Sequence, residues 1–268
     1  MRRPATTFAV LTALGIAVLA IQFLLPLIAW SGRGKIDAGA FDRAEASYAA
    51  GLAMRAERPD DARAKFLESA SQFESLLATS DAAGIHFNRA NALLEAGRTS
   101  EAIAAYLAAE RRLPGDASIE ANLAEARSRV VRVTDRPEPG ILERTQRLWS
   151  PIGPATRTIV AALLLWGAAL GAALGLRRAV VPLAALGLGL AATCAVDALS
   201  AGESTAAVVA REAVLRKGNG EGFEPVLAEP LPAGTECRVI EARPGWIEVR
   251  CSAKVIGWLR EDAVIQVR

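Results

Sequence analysis

The chain has 268 residues, with 31 Lys and Arg against 29 Asp and Glu, and 52% of its residues are hydrophobic. That near-balance of charge supplies no basic field for nucleic acid. One histidine and three cysteines, spread along the chain, exclude the usual four-ligand His/Cys metal centre, and nothing implies a cofactor.

At the amino end, Arg2 and Arg3 precede an uncharged run from Phe8 to Trp30. Residues 1–34 therefore read as a signal peptide or an N-terminal membrane anchor. Signal peptide cores run to about 7–15 residues and this run is longer, which favours the anchor. Either reading exports the adjoining segment, because the two arginines stay in the cytoplasm.

Residues 35–133 turn polar, alanine-rich and helical. The stretch AGIHFNRANALLEAGRTSEAIAAYLAAERRLPGD carries small and apolar residues at helical spacing, broken at Gly97 and closed at Pro114. It resembles a tetratricopeptide repeat at Asn88, Ala90, Asn91, Ala92, Gly97, Glu101, Ala102, Ile103, Tyr106, Ala109 and Pro114. His86 stands where that family has tryptophan and reads as a packed aromatic substitute; Arg89 replaces a leucine. Asn122 comes one repeat after Asn88, so a further first helix begins near Ala117. Tyr48, Ala62 and Phe66 mark a degenerate unit upstream. The expectation is two helical hairpins plus one solvating helix, near the minimum for a stacked core. The resemblance implies a peptide-holding groove on the first helices, with Phe87, Asn88, Asn91 and Asn122 at its groove-facing places. The other reading of the asparagines is that they bridge neighbouring helices.

Residues 134–156 form a linker rich in proline and glycine. Residues 157–200 hold two apolar segments joined by Arg177 and Arg178, each near the about 20 residues that cross a bilayer. Gly167, Gly171 and Gly175 recur every fourth residue and predict a flat stripe for close helix packing, within the hairpin or against another membrane protein. The two-arginine turn is placed in the cytoplasm, so both flanking segments lie outside.

Residues 206–268 change to short runs rich in valine and isoleucine, at 208–209, 213–215, 237–241, 247–251, 255–259 and 264–267. Six short strands predict a small barrel. The region resembles bacterial SH3 domains at Leu231 to Gly234, Gly245-Trp246 and Gly257-Trp258, and Trp246 and Trp258 are candidates to line a barrel cleft. If 237–241 and 247–251 form a hairpin, residues pair when their numbers sum to 488. Cys237 then faces Cys251 at a Cα separation of about 4.5–5.5 Å, within disulfide range.

No HExxH, GxSxG or GxxxxGK[ST] pattern occurs, and the chain reads as a non-enzyme. The fold class is thus a multidomain membrane protein: helical tetratricopeptide hairpins, a transmembrane hairpin and a small all-β SH3-like barrel. This order of parts resembles the BatE-type family of bacterial aerotolerance (Bat) operons. That resemblance implies a scaffold at the inner membrane, its soluble modules on the periplasmic side, working with von Willebrand factor A-type membrane proteins and a MoxR-type ATPase. The alternative is a wall-binding protein that holds peptidoglycan peptides through the barrel.

Overall fold

The computed structural model describes residues 37–130, 149, 152–200 and 206–267. The anchor or signal segment 1–34 and most of the linker 134–156 lie outside these residues. The described residues contain seven α-helices and a five-stranded antiparallel sheet. They fall into two compact units, one formed by the apolar helix pair and the other by the five earlier helices together with the sheet.

In the second unit the helices are α1 (Ala38–Met54), α2 (Pro59–Leu77), α3 (Ala83–Glu95), α4 (Thr99–Arg112) and α5 (Ala117–Ser128). Their starts follow from local chemistry. Asp37 caps α1 by accepting from the Ala40 amide at 3.2 Å, and Asp116 caps α5 through the Ser118 and Ile119 amides at 2.9 and 3.1 Å. Pro59 opens α2, with Asp60 and Asp61 in its first turn to complement the helix dipole. The pairs α1–α2 and α3–α4 meet through small residues. Ala44, Ala62, Ala70, Ala90 and Ala102 are all buried, so the larger Phe66, Phe73, Ile85 and Tyr106 fill the remaining space.

The strands are β1 (Ala206–Val209), β2 (Glu236–Arg243), β3 (Trp246–Arg250), β4 (Ile256–Arg260) and β5 (Val264–Gln266), in the order β4-β3-β2-β1-β5. Five strands form where six were expected. Residues 213–216 meet Leu231, Pro225 and Trp258 one residue at a time, so no continuous ladder develops there. Between β2 and β3, Arg238 pairs with Arg250 and Val239 with Val249, in the 488 register. Beyond a bulge at Ile240 the pairing shifts by one, to Glu241 with Glu248 and Arg243 with Trp246. The turn therefore shortens to Pro244-Gly245, where a proline followed by a glycine suits a two-residue connection.

The segments separated by the sequence as domains 35–133 and 206–268 share one hydrophobic core. Leu93, Ile103, Ala104, Tyr106, Ala108 and Leu123 cluster with Val208 and Val267. A strand's side chains alternate between faces, so β1 can bury Val208 against α4 while Val209 enters the sheet's own core with Leu215, Ile247 and Leu259. Ala104 and Ala108 keep the contact face of α4 flat. At Gly234, with φ +86°, a Cβ would lie 2.7 Å from Val130, so this turn too admits only glycine. The same boundary carries a bidentate ion pair, in which Arg127 Nε and Nη2 donate to the Glu236 carboxylate at 2.6 and 2.7 Å. Arg111 Nη1 donates to the Val267 carbonyl at 3.3 Å.

The other unit consists of α6 (Pro154–Ala173) and α7 (Arg177–Ser200), both long and apolar enough to cross a membrane. Gly167 and Gly171 face α7, with Leu183 and Val180 methyls 3.7 and 3.6 Å from where a Cβ would stand. Gly175 corrects the expected stripe. It takes φ +76° and ends the connection after α6, where the Leu176 amide donates back to the Gly171 carbonyl at 2.8 Å. The tight approach occurs instead at Gly187, where a Cβ would lie 3.0 Å from both the Ala161 carbonyl and Leu165.

Candidate functional site

The first helices α1, α3 and α5 carry the candidate groove. Asn88 and Asn91 are three residues apart and share a face of α3. Asn91 Oδ1 accepts from the Tyr106 hydroxyl at 2.5 Å and from Asn122 Nδ2 at 2.9 Å. With its oxygen used twice, Asn91 must aim its NH2 group away from Tyr106, and that group keeps two donors to offer. Burial pushes the Tyr106 phenol above its ordinary range, so it remains a hydrogen donor across physiological pH.

The structure thus joins Asn91 and Asn122 in one network, the helix-bridging arrangement, and leaves Asn88 half-buried and without a side-chain hydrogen bond among the described residues. Phe87 is drawn partly into the core, its ring 5.9 Å from that of Tyr106 in an edge contact. Sequence reasoning missed the charged rim. Arg55 Nη1 donates to Glu95 at 2.8 Å and ties α1 to α3; Arg129 donates to Glu125 at 2.5 Å and to the Leu94 carbonyl at 3.2 Å, tying α5 to α3. Tyr48 lies against this rim. Its phenol is pushed up first by burial and then by the Glu95 carboxylate.

His86, on the same helix, is buried, and its Nε2 lies 2.8 Å from Asp81 Oδ1. Asp81 also accepts from Arg112 Nη2 at 2.6 Å. A cleft of about 430 Å³ opens on a different face of α3, where Arg89 and Leu93 join Leu67, Ala70, Glu74 and Ile265. None of the four groove candidates lines it.

On the sheet, Glu248 pairs with Trp258 and Trp246 with Arg260, so both tryptophans share one face, opposite the buried Ile247, Val249 and Leu259. Trp258 is 7% exposed and lies beneath the Arg243 guanidinium at 4.9 Å, while the nearby depression of about 290 Å³ is lined by Gly245, Arg260, Glu261 and Asp262. Cys237 and Cys251 are joined in a disulfide, with Cα atoms 4.0 Å apart. Among the described residues no group of three or more His, Cys, Asp or Glu side chains is placed to hold a metal ion.

Comparison with family models, with curated proteins and with solved structures finds no match to this chain.

Proposed function

We propose that the protein is a non-enzymatic, membrane-anchored adaptor that holds extended segments of partner proteins along α1, α3 and α5. Its helix pairs are tetratricopeptide-type units, and its sheet is a bacterial SH3-like barrel. The observation that carries this reading is the asparagine network. Tyr106 and Asn122 fix the Asn91 carbonyl from behind, so the Asn91 amide group and the unpaired Asn88 amide stand ready to bind peptide carbonyls without first breaking a bond. A rigid row of hydrogen-bond donors beside an aromatic ring suits backbone recognition.

Connectivity supports the proposed localisation. A segment that leaves a folded unit, crosses a bilayer and rejoins that unit must cross an even number of times. Val130 and Ala206 belong to one unit, and between them in the chain α6 and α7 supply two candidate crossings. The reading places the unit on the outer side of a bacterial cytoplasmic membrane, where a disulfide persists. The resemblance to Bat-type proteins names the partners to seek: von Willebrand factor A-type membrane proteins and a MoxR-type ATPase system. The covered Trp258 ring leaves little open aromatic surface for the wall-peptide alternative.

The test is crosslinking co-purification of membrane partners with the intact chain and with Asn88→Asp. This nearly isosteric change replaces NH donors with a carboxylate that repels peptide carbonyls. The expected result is loss of partner recovery with membrane insertion unchanged. Equal recovery by Asn88→Asp and by Asn88→Asp combined with Asn122→Asp rejects the groove.

A further inference from the structure

The one histidine of the chain occupies a junction that its ordinary role as a packing ring does not require. Asp81 lies in the connection between α2 and α3, His86 in the first turns of α3, and Arg112 at the last residue of α4. Arg112 Nη2 reaches both oxygens of the Asp81 carboxylate, at 2.5 and 2.6 Å, and His86 Nε2 shares Oδ1 with it at 2.8 Å, while Arg112 Nη1 also donates to the Ala108 carbonyl at 2.8 Å. One carboxylate therefore ties the connection to two helices.

The other imidazole nitrogen decides how this tie behaves. His86 Nδ1 is buried and has no hydrogen-bond partner. With Nε2–H donated to Asp81, a neutral ring leaves Nδ1 as an unused acceptor, a modest cost. A protonated ring would place a second N–H, and half of a positive charge, where no acceptor waits. The charged groups around it do not compensate. Arg112 on α4 and Arg89 on α3 both oppose the added charge. Asp81 favours it but is already neutralised by Arg112, and Glu74 of α2 is engaged by Arg89 at 3.3 Å. Where α1 packs near the start of α3, it supplies Ala40, Phe41 and Ala44, which are not titratable.

We propose that Asp81, His86 and Arg112 form an acid-sensitive latch: proton uptake at His86 Nδ1 releases the α2–α3 connection from α3 and α4 and loosens the helix that carries Phe87, Asn88 and Asn91. The latch is argued from the junction itself; its effect on ligand release rests on the groove reading. Burial, the largest influence, holds the His86 imidazole below its ordinary titration range, and the Asp81 hydrogen bond only partly restores it. The opened form binds a proton more readily than the closed form, so closure is favoured at higher pH. It is lost as pH falls below the ordinary histidine value of about 6.5. For one-proton coupling with the opened form titrating there, the open population rises as pH falls from 6 to 5, by about eightfold at most.

The experiment uses the full chain in nanodiscs with ¹⁵N-labelled histidine, whose single imidazole gives one unambiguous signal. The expected result is a neutral ring protonated on Nε2, titrating below about 6.5. Protection factors at residues 79–86, corrected for the intrinsic pH dependence of exchange, should fall over the same interval, by no more than about eightfold. His86→Phe should remove that pH dependence. If it does not fold, the wild-type titration still decides. A proton on Nδ1 in the neutral ring, titration at or above 6.5, or pH-independent protection overturns the latch. Partner release is then measured separately with Asn88→Asp as the comparison, so that failure of the groove is not mistaken for failure of the latch.

Discussion

Breaking the Arg127–Glu236 ion pair should loosen helices and sheet together. Arg127 lies on α5 and Glu236 opens β2, more than a hundred positions later in the chain, and their side chains are only 22% and 14% exposed. Burial, the largest single influence, lowers the guanidinium's affinity for its proton, but the Glu236 hydrogen bond and the Glu236 and Glu110 charges together outweigh it and hold Arg127 above its ordinary value. Removing one partner of a fully buried pair costs about 3–5 kcal/mol; this pair keeps some contact with water, so Glu236→Gln should cost about 2 kcal/mol. That corresponds to about a 30-fold loss of protection against global opening. Arg127→Met should cost a similar amount, and the double variant less than the sum of the two, because no uncompensated charge then remains. The assay is amide exchange with mass spectrometry on the intact chain in nanodiscs, monitoring peptides from α4, α5, β1 and β2. Equal loss in all four is expected. If β1 and β2 lose protection while α4 keeps its own, the helices and sheet are separate domains and the shared core is refuted.

Three further outcomes concern single sites. Replacing Cys237 and Cys251 together by serine should cost about 3 kcal/mol, since the bond closes a loop of 14 residues and constrains the unfolded chain; denaturant midpoints with and without reductant check this. Tyr106→Phe removes the donor that fixes Asn91 and leaves part of a half-buried carbonyl unsatisfied, so a loss of about 1 kcal/mol in thermal unfolding is expected, together with weaker partner recovery. Gly187→Leu should separate α6 from α7, because a Cβ there already meets the Ala161 carbonyl at 3.0 Å, whereas Gly189→Leu, with open space around it, should not; disulfide trapping between cysteines placed on the two helices distinguishes them.

Much of this architecture is legible from residue spacing. The 34-residue return from Asn88 to Asn122 places α5, and alternation in β2 and β3 sets the two cysteines opposite each other. The bulge at Ile240 leaves no comparable mark, because it changes pairing without changing the apolar pattern that reveals a strand. Gly175 continues a four-residue period and so reads as packing, yet its place just before Leu176 and the charged Arg177 is also that of a glycine ending a helix. The shared core was also written in the sequence, but in a form that sequence reasoning passed over. From Ala102 to Ala109 helix α4 has no polar face, and Ala206-Ala207-Val208-Val209 does not alternate. A helix apolar all round and a strand apolar on both sides each need two partners, and here they cover one another. The Arg127–Glu236 pair could not be foreseen, since two charged residues so far apart in the chain carry no spacing signal.

The most direct measurement labels single cysteines at Glu57 and at Gly222, both on exposed positions of the helix-and-sheet unit, in a Cys194→Ala chain within sealed right-side-out membrane vesicles. An impermeant thiol reagent added outside should modify both sites to the same extent before lysis. Modification of one site only after the vesicles are opened would place the helices and the sheet on opposite sides of the bilayer, and neither their common core nor the outward-facing adaptor would survive that result.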